Sequence, residues 1–197
     1  MSSTAEDPSD LADEIAGEAA SFVAAVESVA GGLKPGSTMS VLLLALSDIL
    51  SAGAKLGARE DIAATSVPAD APLADAAQLG SQQNTSALRT ALAEQFGAVN
   101  EYRELIDPYL GDEAATAKLS DDLASICGDL LQGLALYTDG DYADSLAWWQ
   151  YSYLSNWGPS ASACLRAVQS LIAVIRLGAP MGAPTEDLLG LDLRPQG

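Results

Sequence analysis

The sequence predicts an all-α protein, a single-domain bundle of about six helices whose C-terminal part is a three-helix unit of helical hairpins. Leu and Ala dominate the composition and β-branched residues are sparse, which favours helices over strands. Apolar residues recur at spacings of three and four, and no segment of convincing length alternates with the period of a strand. The 197 residues suffice for one domain with a sizeable core.

The predicted helical domain covers residues 9–178. Residues 1–8 form a polar lead, residues 57–82 a long connection, and the Gly- and Pro-rich residues 179–197 a tail that we expect to be flexible. The second helix is apolar on most of its circumference and is expected at the centre. Capping residues, Gly and Pro mark the ends of the helices. The six predicted helices cover about residues 9–30, 37–56, 84–106, 120–137, 142–156 and 160–177.

The last three predicted helices, within residues 119–176, hold all three Trp, both Cys and four of the six Tyr. Short turns at 138–141 and 158–160 join them. Cys127 and Cys164 lie in apolar stripes, which favours reduced core cysteines. A disulfide between them stays open as an alternative if the two helices pack face to face.

An acidic coat covers the whole chain. Residues 1–80 carry 12 acidic and 3 basic side chains (net −9) and residues 81–197 carry 15 and 6 (also −9), which together give −18. Such a coat repels phosphate backbones and anionic membranes, so we predict neither nucleic acid nor a membrane as partner. The coat serves either solubility or an acidic role in binding a partner.

The N-terminus has neither the basic nor the apolar region of a signal peptide. The most apolar run, residues 41–46, is far shorter than the roughly 20 residues that a membrane span requires. We therefore expect a soluble, cytoplasmic protein.

The chain contains no histidine. This excludes Ser-His-Asp triads, Cys-His dyads, His-ligated metals and imidazole acid–base chemistry. Two thiols do not make a structural zinc site, and the sequence predicts no cofactor and no metal ion. Any catalysis would depend on carboxylates, Tyr, Lys or a thiol.

Four carboxylates are the candidate catalytic residues. Glu101 and Glu104 form an E-x-x-E pair on the predicted third helix. This pair resembles the motif with which helical nucleotide pyrophosphatases hold magnesium, and Asp121 and Asp122 stand where those enzymes carry a second acidic pair. In that family the second pair reads E-x-x-D, whereas here the two aspartates are adjacent. The resemblance implies a divalent-metal-dependent hydrolase as the alternative function.

An aromatic cluster on the fifth predicted helix supplies the candidate binding residues. Trp148 and Trp149 point about 100° apart on a helix, so either the helix is buried on two sides between its neighbours, or one of the two lies in a groove or interface. Arg166, on the last helix, is expected to pair with one of the aspartates near the start of the fourth helix. The candidate binding residues are Trp148, Trp149, Tyr153, Trp157 and Arg166.

Two resemblances support helical hairpins. The turn from Gly140 to Leu146 resembles the middle of one tetratricopeptide repeat, with Ser145 in place of the usual Ala. Residues 20–177 resemble an uncharacterised bacterial family of all-helical domains of unknown function, through the 119–126 segment (L-S-D-D-L-A-x-I), the Trp pair and the Trp-Gly of residues 157–158. Its members often carry a basic residue and a His where this chain has Gln150 and Asn156. The resemblance implies a small cytoplasmic helical protein and no activity.

We predict a non-enzymatic helical module that binds a protein or a small ligand in a groove built from residues 120–176. Its partner is an unidentified protein or a second copy of the chain. The metal-dependent hydrolase is the alternative, and a third possibility is a fold that only stabilises another protein.

Overall fold

The computed structural model describes residues 8–60, 62, 75–105, 109 and 114–178. The predicted flexible tail, residues 1–7 of the lead, and residues 61 and 63–74 of the predicted connection lie outside these residues. The last part of that connection, 75–82, is helical instead, so the third helix begins earlier than predicted. Where the chain is described, it is mostly helical, which confirms the all-α prediction. The helices are α1 (Pro8–Ala30), α2 (Pro35–Gly57), α3 (Asp75–Phe96), α4 (Leu119–Thr138), α5 (Tyr142–Ser152) and α6 (Gly158–Leu177).

Helix α4 occupies the centre of the bundle, because it packs against α1, α3, α5 and α6. The expectation that α2 is central is wrong: α2 packs mainly on α1 and α6, and Leu44 on its outer side is 64% exposed. Helix α1 contributes a stripe of buried side chains at alternating spacings of three and four, the pattern of a helix that packs along one face. The stripe comprises Ala12, Ile15, Ala19, Phe22, Val26 and Val29.

A two-stranded antiparallel hairpin replaces the end of the predicted third helix. Helix α3 stops at Phe96, Gly97 adopts a positive φ of 49°, and a short 3-10 turn leads into β1 (Glu101–Leu105). Strand β1 pairs with β2 (Ala114–Lys118). The helical spacing of apolar residues continues past Gly97, but a left-handed backbone there ends the helix. The prediction of a helix to residue 106 is therefore wrong.

Asn100 joins the hairpin to the start of α4. Its side chain accepts a hydrogen bond from the Ser120 N–H and donates one to Ser120 Oγ, both at 3.0 Å, and its carbonyl accepts the Leu119 N–H at 2.9 Å. Asn100 and Ser120 are buried. Backbone N–H groups in the first turn of a helix have no partner within the helix, so Asn100 satisfies two of them from outside. Ser120 itself lies inside the first turn of α4, which begins at Leu119.

Helix α5 lies close to α4 because Gly133 leaves room for an indole. A Cβ on Gly133 would overlap the Trp149 ring, whose Nε1 donates to the Leu130 carbonyl at 3.2 Å. The neighbouring Trp148 Nε1 donates to the Asp129 carbonyl at 2.9 Å. Adjacent tryptophans of α5 thus donate to consecutive carbonyls of α4.

A π-helical turn, Tyr153–Trp157, connects α5 to α6. Within this wider turn, Trp157 Nε1 donates to Ser152 Oγ at 3.1 Å, five residues earlier. The ring of Tyr153 lies against Gly53, Gly57 and Gly158, where added Cβ atoms would clash with it. Gly53 and Gly57 therefore let the turn approach α2 closely, and Gly158 leaves room for Tyr153 at the start of α6.

Two described stretches, Gly36–Gly57 and Tyr142–Leu177, are long and apolar enough to cross a membrane. Length and composition alone do not distinguish a membrane span from a core helix of a soluble bundle. In this fold, α2 and α6 pack against each other.

Replacing Asn100 with Ala should lower the free energy of unfolding by about 1–3 kcal/mol, because the buried N–H and hydroxyl of Ser120 lose their partner. Urea denaturation followed by circular dichroism measures this. Asn100→Asp keeps the acceptor for the Ser120 N–H and should lose less. An Asn100→Ala variant as stable as the parent would contradict the capping role.

Gly133→Ala should destabilise the fold by about 1–3 kcal/mol, because the new methyl group displaces the Trp149 indole in a packed core. Gly17→Ala is the matched control, since it lies in α1 with open space around its Cβ. A helix gains up to about 1 kcal/mol from Gly to Ala, so the control should be neutral or stabilising. Equal thermal shifts in the two variants would refute the close approach of α5 to α4.

Candidate functional site

A first polar cluster lies where the hairpin meets α4 and α6. We call Tyr102, Glu104, Asp122, Cys164 and Arg166 the hairpin cluster. Tyr102 and Glu104 share the half-buried face of β1, because alternate residues of a strand point to the same side. The Tyr102 hydroxyl donates to Asp122 Oδ2 at 2.8 Å. Arg166 is exposed and lies close enough to Glu104 to act on its charge.

Burial and neighbouring negative charge raise the proton affinity of this cluster. Burial raises the pKa of the Glu104 and Asp122 carboxyls. The Asp122 charge raises the pKa of Glu104 further, whereas Arg166 opposes the rise. The Tyr102 hydrogen bond opposes the rise at Asp122. Burial, with the Asp122 charge and hydrogen bond, also raises the pKa of Tyr102 far above its usual value.

The hairpin cluster is suited to holding the hairpin on the bundle rather than to nucleophilic chemistry. Cys164 is fully buried, and burial raises the pKa of its thiol, so the reactive thiolate is disfavoured. Cys127 is also buried, with its thiol pKa raised to about 12. Both cysteines are free thiols, so the open alternative of a disulfide between them does not occur in this structure.

The four predicted catalytic carboxylates divide into two pairs. Glu104 and Asp122 belong to the hairpin cluster, whereas Glu101 lies 3.9 Å from Lys118 and Asp121 lies 3.1 Å from Arg89, in ion pairs that solvent reaches.

The premise that Glu101 and Glu104 share one helix is wrong: they lie on β1, where a spacing of three places them on opposite faces. Among the described residues, no three Cys, Asp or Glu side chains come together as a metal-ion site. The magnesium-site geometry that the helical motif implied is therefore not assembled by these four residues.

The aromatic binding candidates divide in a similar way. Trp149 and Trp157 are fully buried in the core. Tyr153 is half-buried, with its ring centroid 4.8 Å from that of Trp157. Trp148 is half-buried at the surface, and Tyr151, whose ring centroid lies 6.3 Å away, is 53% exposed. Of the three tryptophans, Trp148 is the one that solvent reaches appreciably.

Trp148 is part of a surface between α4 and α5, which we call the α4–α5 surface: Ser125, Asp129, Trp148, Tyr151 and Asn156. Asn156 Nδ2 donates to Asp129 Oδ2 at 2.6 Å and lies 3.4 Å from Ser125 Oγ. Burial raises the pKa of Asp129, and the Asn156 hydrogen bond opposes that rise. The surface therefore combines an accessible aromatic pair with an incompletely solvated carboxylate.

Gln150 and Asn156 were not among the predicted site residues, yet both join helices. Gln150 Nε2 donates to the carbonyls of Leu56, at 2.7 Å, and Arg59, at 2.9 Å, at the C-terminal end of α2. Asn156 donates its side-chain N–H to the Asp129 carboxylate and so joins the turn after α5 to α4. Their long or amide-bearing polar side chains, beside the aromatic residues of the same predicted helix, were the available signal for both positions.

Comparison with known proteins gives a family and a fold. A family model described as a domain of unknown function (DUF5063) matches residues 6–174. The crystal structure of protein BF1032 from Bacteroides fragilis matches with a TM-score of 0.61 and 21% sequence identity, over 87% of this chain and 94% of that chain. At this identity the likeness shows a common fold. No curated protein matches the chain.

Lowering the pH from about 8 to about 5 should stabilise the fold. Glu104, Asp122 and Asp129 have raised pKa values in the folded state. Their contribution to stability is present in full below the unfolded pKa, about 4, and is lost as the pH rises through the folded value. Urea midpoints measured across this range test the direction.

Asp129→Asn is the matched variant for this pH series. Its amide oxygen can still accept the Asn156 hydrogen bond, but it has no charge to desolvate, so its midpoint should depend less on pH. A midpoint that falls on acidification from about 8 to about 5 would contradict the assignment of these three groups.

Proposed function

This chain belongs to the DUF5063 family, and we propose that it is a non-enzymatic protein-interaction module that binds its partner through the α4–α5 surface. Family membership agrees with the resemblance seen in the sequence and assigns no activity. One observation carries the proposal: Tyr151 is 53% exposed beside the half-buried Trp148. Tyr and Trp at a surface are the residue types that most often dominate binding energy in interfaces.

A protein partner suits this surface better than a small ligand. Asp144, Trp148 and Tyr151 follow one face of α5 at spacings of four and three, so they span about 10 Å along the helix. Leu154, 61% exposed, follows in the next turn, on the side of the helix nearer Gly57 of α2. Groups spread along a helix face match an extended segment or another helix, whereas a small ligand requires groups that converge in a cavity.

The charge of the chain supports the remaining parts of the proposal. A net charge of −18 disfavours both nucleic acid and anionic membranes as partners. We therefore propose a protein partner, and separately we propose a cytoplasmic location. Fractionation of the native cell at physiological salt would test that location.

Tyr151→Ala should weaken partner binding roughly tenfold without changing stability, since an exposed interface aromatic contributes about 1–2 kcal/mol to binding and little to the core. The partner is first trapped by a photo-crosslinking amino acid at position 151, identified, and then purified. Calorimetric titration of the two purified proteins then measures the affinity.

Tyr142→Ala is the matched control. Tyr142 is 41% exposed on the same helix but nine residues away, and therefore on the opposite side. It should leave the affinity unchanged. Crosslinking that is equally strong from an exposed position on α2, such as Asp48, or an affinity unaffected by Tyr151→Ala, would refute the proposed surface.

A further inference from the structure

We propose that the α4–α5 surface recognises an arginine-bearing segment of its partner: a guanidinium stacks on the Trp148 and Tyr151 rings, and cationic groups of the same segment meet Asp129 on one side and Asp144 on the other. This inference rests on the proposed function, because it names the partner chemistry of the same surface.

Charge complementarity identifies a cationic occupant. Residues 119–157, which include α4 and α5, carry six acidic and no basic side chains. Asp121 pairs with Arg89, and Asp122 belongs to the hairpin cluster, so these two are engaged at the other end of α4. The Asp129 carbonyl on α4 accepts the Trp148 indole N–H, and Asp144 precedes Trp148 by about one turn of α5. A cation that docks there meets negative charge on both sides of the rings.

The aromatic rings favour arginine over lysine. A guanidinium is planar, is weakly hydrated, stacks on Trp and Tyr faces, and pairs with carboxylates through a fork of donors. The rings of Trp148 and Tyr151 lie 6.3 Å apart with planes tilted by 47°, which provides two π surfaces at one place. A cationic partner stabilises the charge of the Asp129 carboxylate in particular, because burial has removed part of its hydration.

A second copy of this chain is a poorer occupant of the surface. Each copy carries a net charge of −18, so a contact between two α4–α5 surfaces would bring acidic faces together. A contact of this surface with another face of a second copy would draw on only 9 Lys and Arg against 27 acidic residues. A separate, basic segment therefore matches the surface best.

The test uses three nine-residue peptides of Gly and Ser with three evenly spaced arginines, lysines or citrullines, titrated into the ¹⁵N-labelled full chain at about 150 mM NaCl. Citrulline keeps the shape of arginine without its charge. The arginine peptide should shift the Trp148 indole N–H and the amides of residues 144–156, leaving the buried Trp149 and Trp157 indoles in place. The lysine peptide should bind at least threefold more weakly, and the citrulline peptide should not bind.

Matched variants locate the contact. Tyr151→Ala and Asp144→Asn should each weaken the arginine peptide at least threefold, whereas Asp48→Asn, an exposed carboxylate on α2, should not. Shifts spread evenly over the acidic surface, equal affinity for lysine, or binding of citrulline would overturn the inference. So would a dimer in sedimentation that Tyr151→Ala dissociates.

The two proposals fail separately. If the crosslinked partner depends on Tyr151 but the arginine peptide does not bind, the interaction surface stands and the guanidinium assignment is wrong. If the arginine peptide binds at the surface but the affinity of the purified partner does not depend on Tyr151, the chemistry of the surface stands and the proposed function is wrong.

Discussion

The close approach of α5 to α4 is the constraint on which the rest of the molecule depends. Gly133 leaves room for the Trp149 ring, and the two adjacent indoles donate to the consecutive carbonyls of Asp129 and Leu130. This contact fixes both the position and the rotation of α5. Because α4 is the central helix, this contact places α5 relative to the helices that pack on α4, and Gln150 also joins α5 to the end of α2.

The same contact determines which of the two adjacent tryptophans is buried and which one reaches the surface. Trp149 fills the interior, and Trp148, rotated by about 100°, must lie at the edge of the helix interface. Trp148 is therefore held by a hydrogen bond to the backbone while part of its ring remains accessible. Interface aromatics that are rigid before binding lose little conformational entropy on association, which suits them to recognition.

Much of this fold follows from the spacing of apolar residues and from the Gly, Pro and turn residues that separate the helices. The helical stripes of α1 and α4, the turn before Tyr142 and the Gly-Pro before α6 are local signals, and each marks an element that exists. The hairpin does not follow from local signals, because the apolar spacing of α3 runs on past Gly97 and β1 is only five residues long. Its partner strand begins nine residues after β1 ends, so its stability comes from pairing and from the contacts of Tyr102 and Asn100 with α4.

The candidate site was predictable in part. Sequence spacing requires that Trp148 and Trp149 differ in direction, but it does not say which one is buried. Gly133 was the missing signal, since a glycine on an apolar helix face marks the place where a large side chain enters. Arg166 was expected to pair with an aspartate of α4 and instead acts on the charge of Glu104, which lies on a hairpin that the sequence did not predict.

Accessibility of the three tryptophan rings tests the central claim most directly. A soluble gadolinium chelate added to the labelled protein attenuates the NMR signals of ring protons that solvent reaches. The fold predicts strong attenuation for Trp148 and Tyr151 and little for Trp149 and Trp157. Equal attenuation of the three tryptophans, or a protected Trp148 beside an attenuated Trp149, would contradict the placement of α5 and the surface built on it.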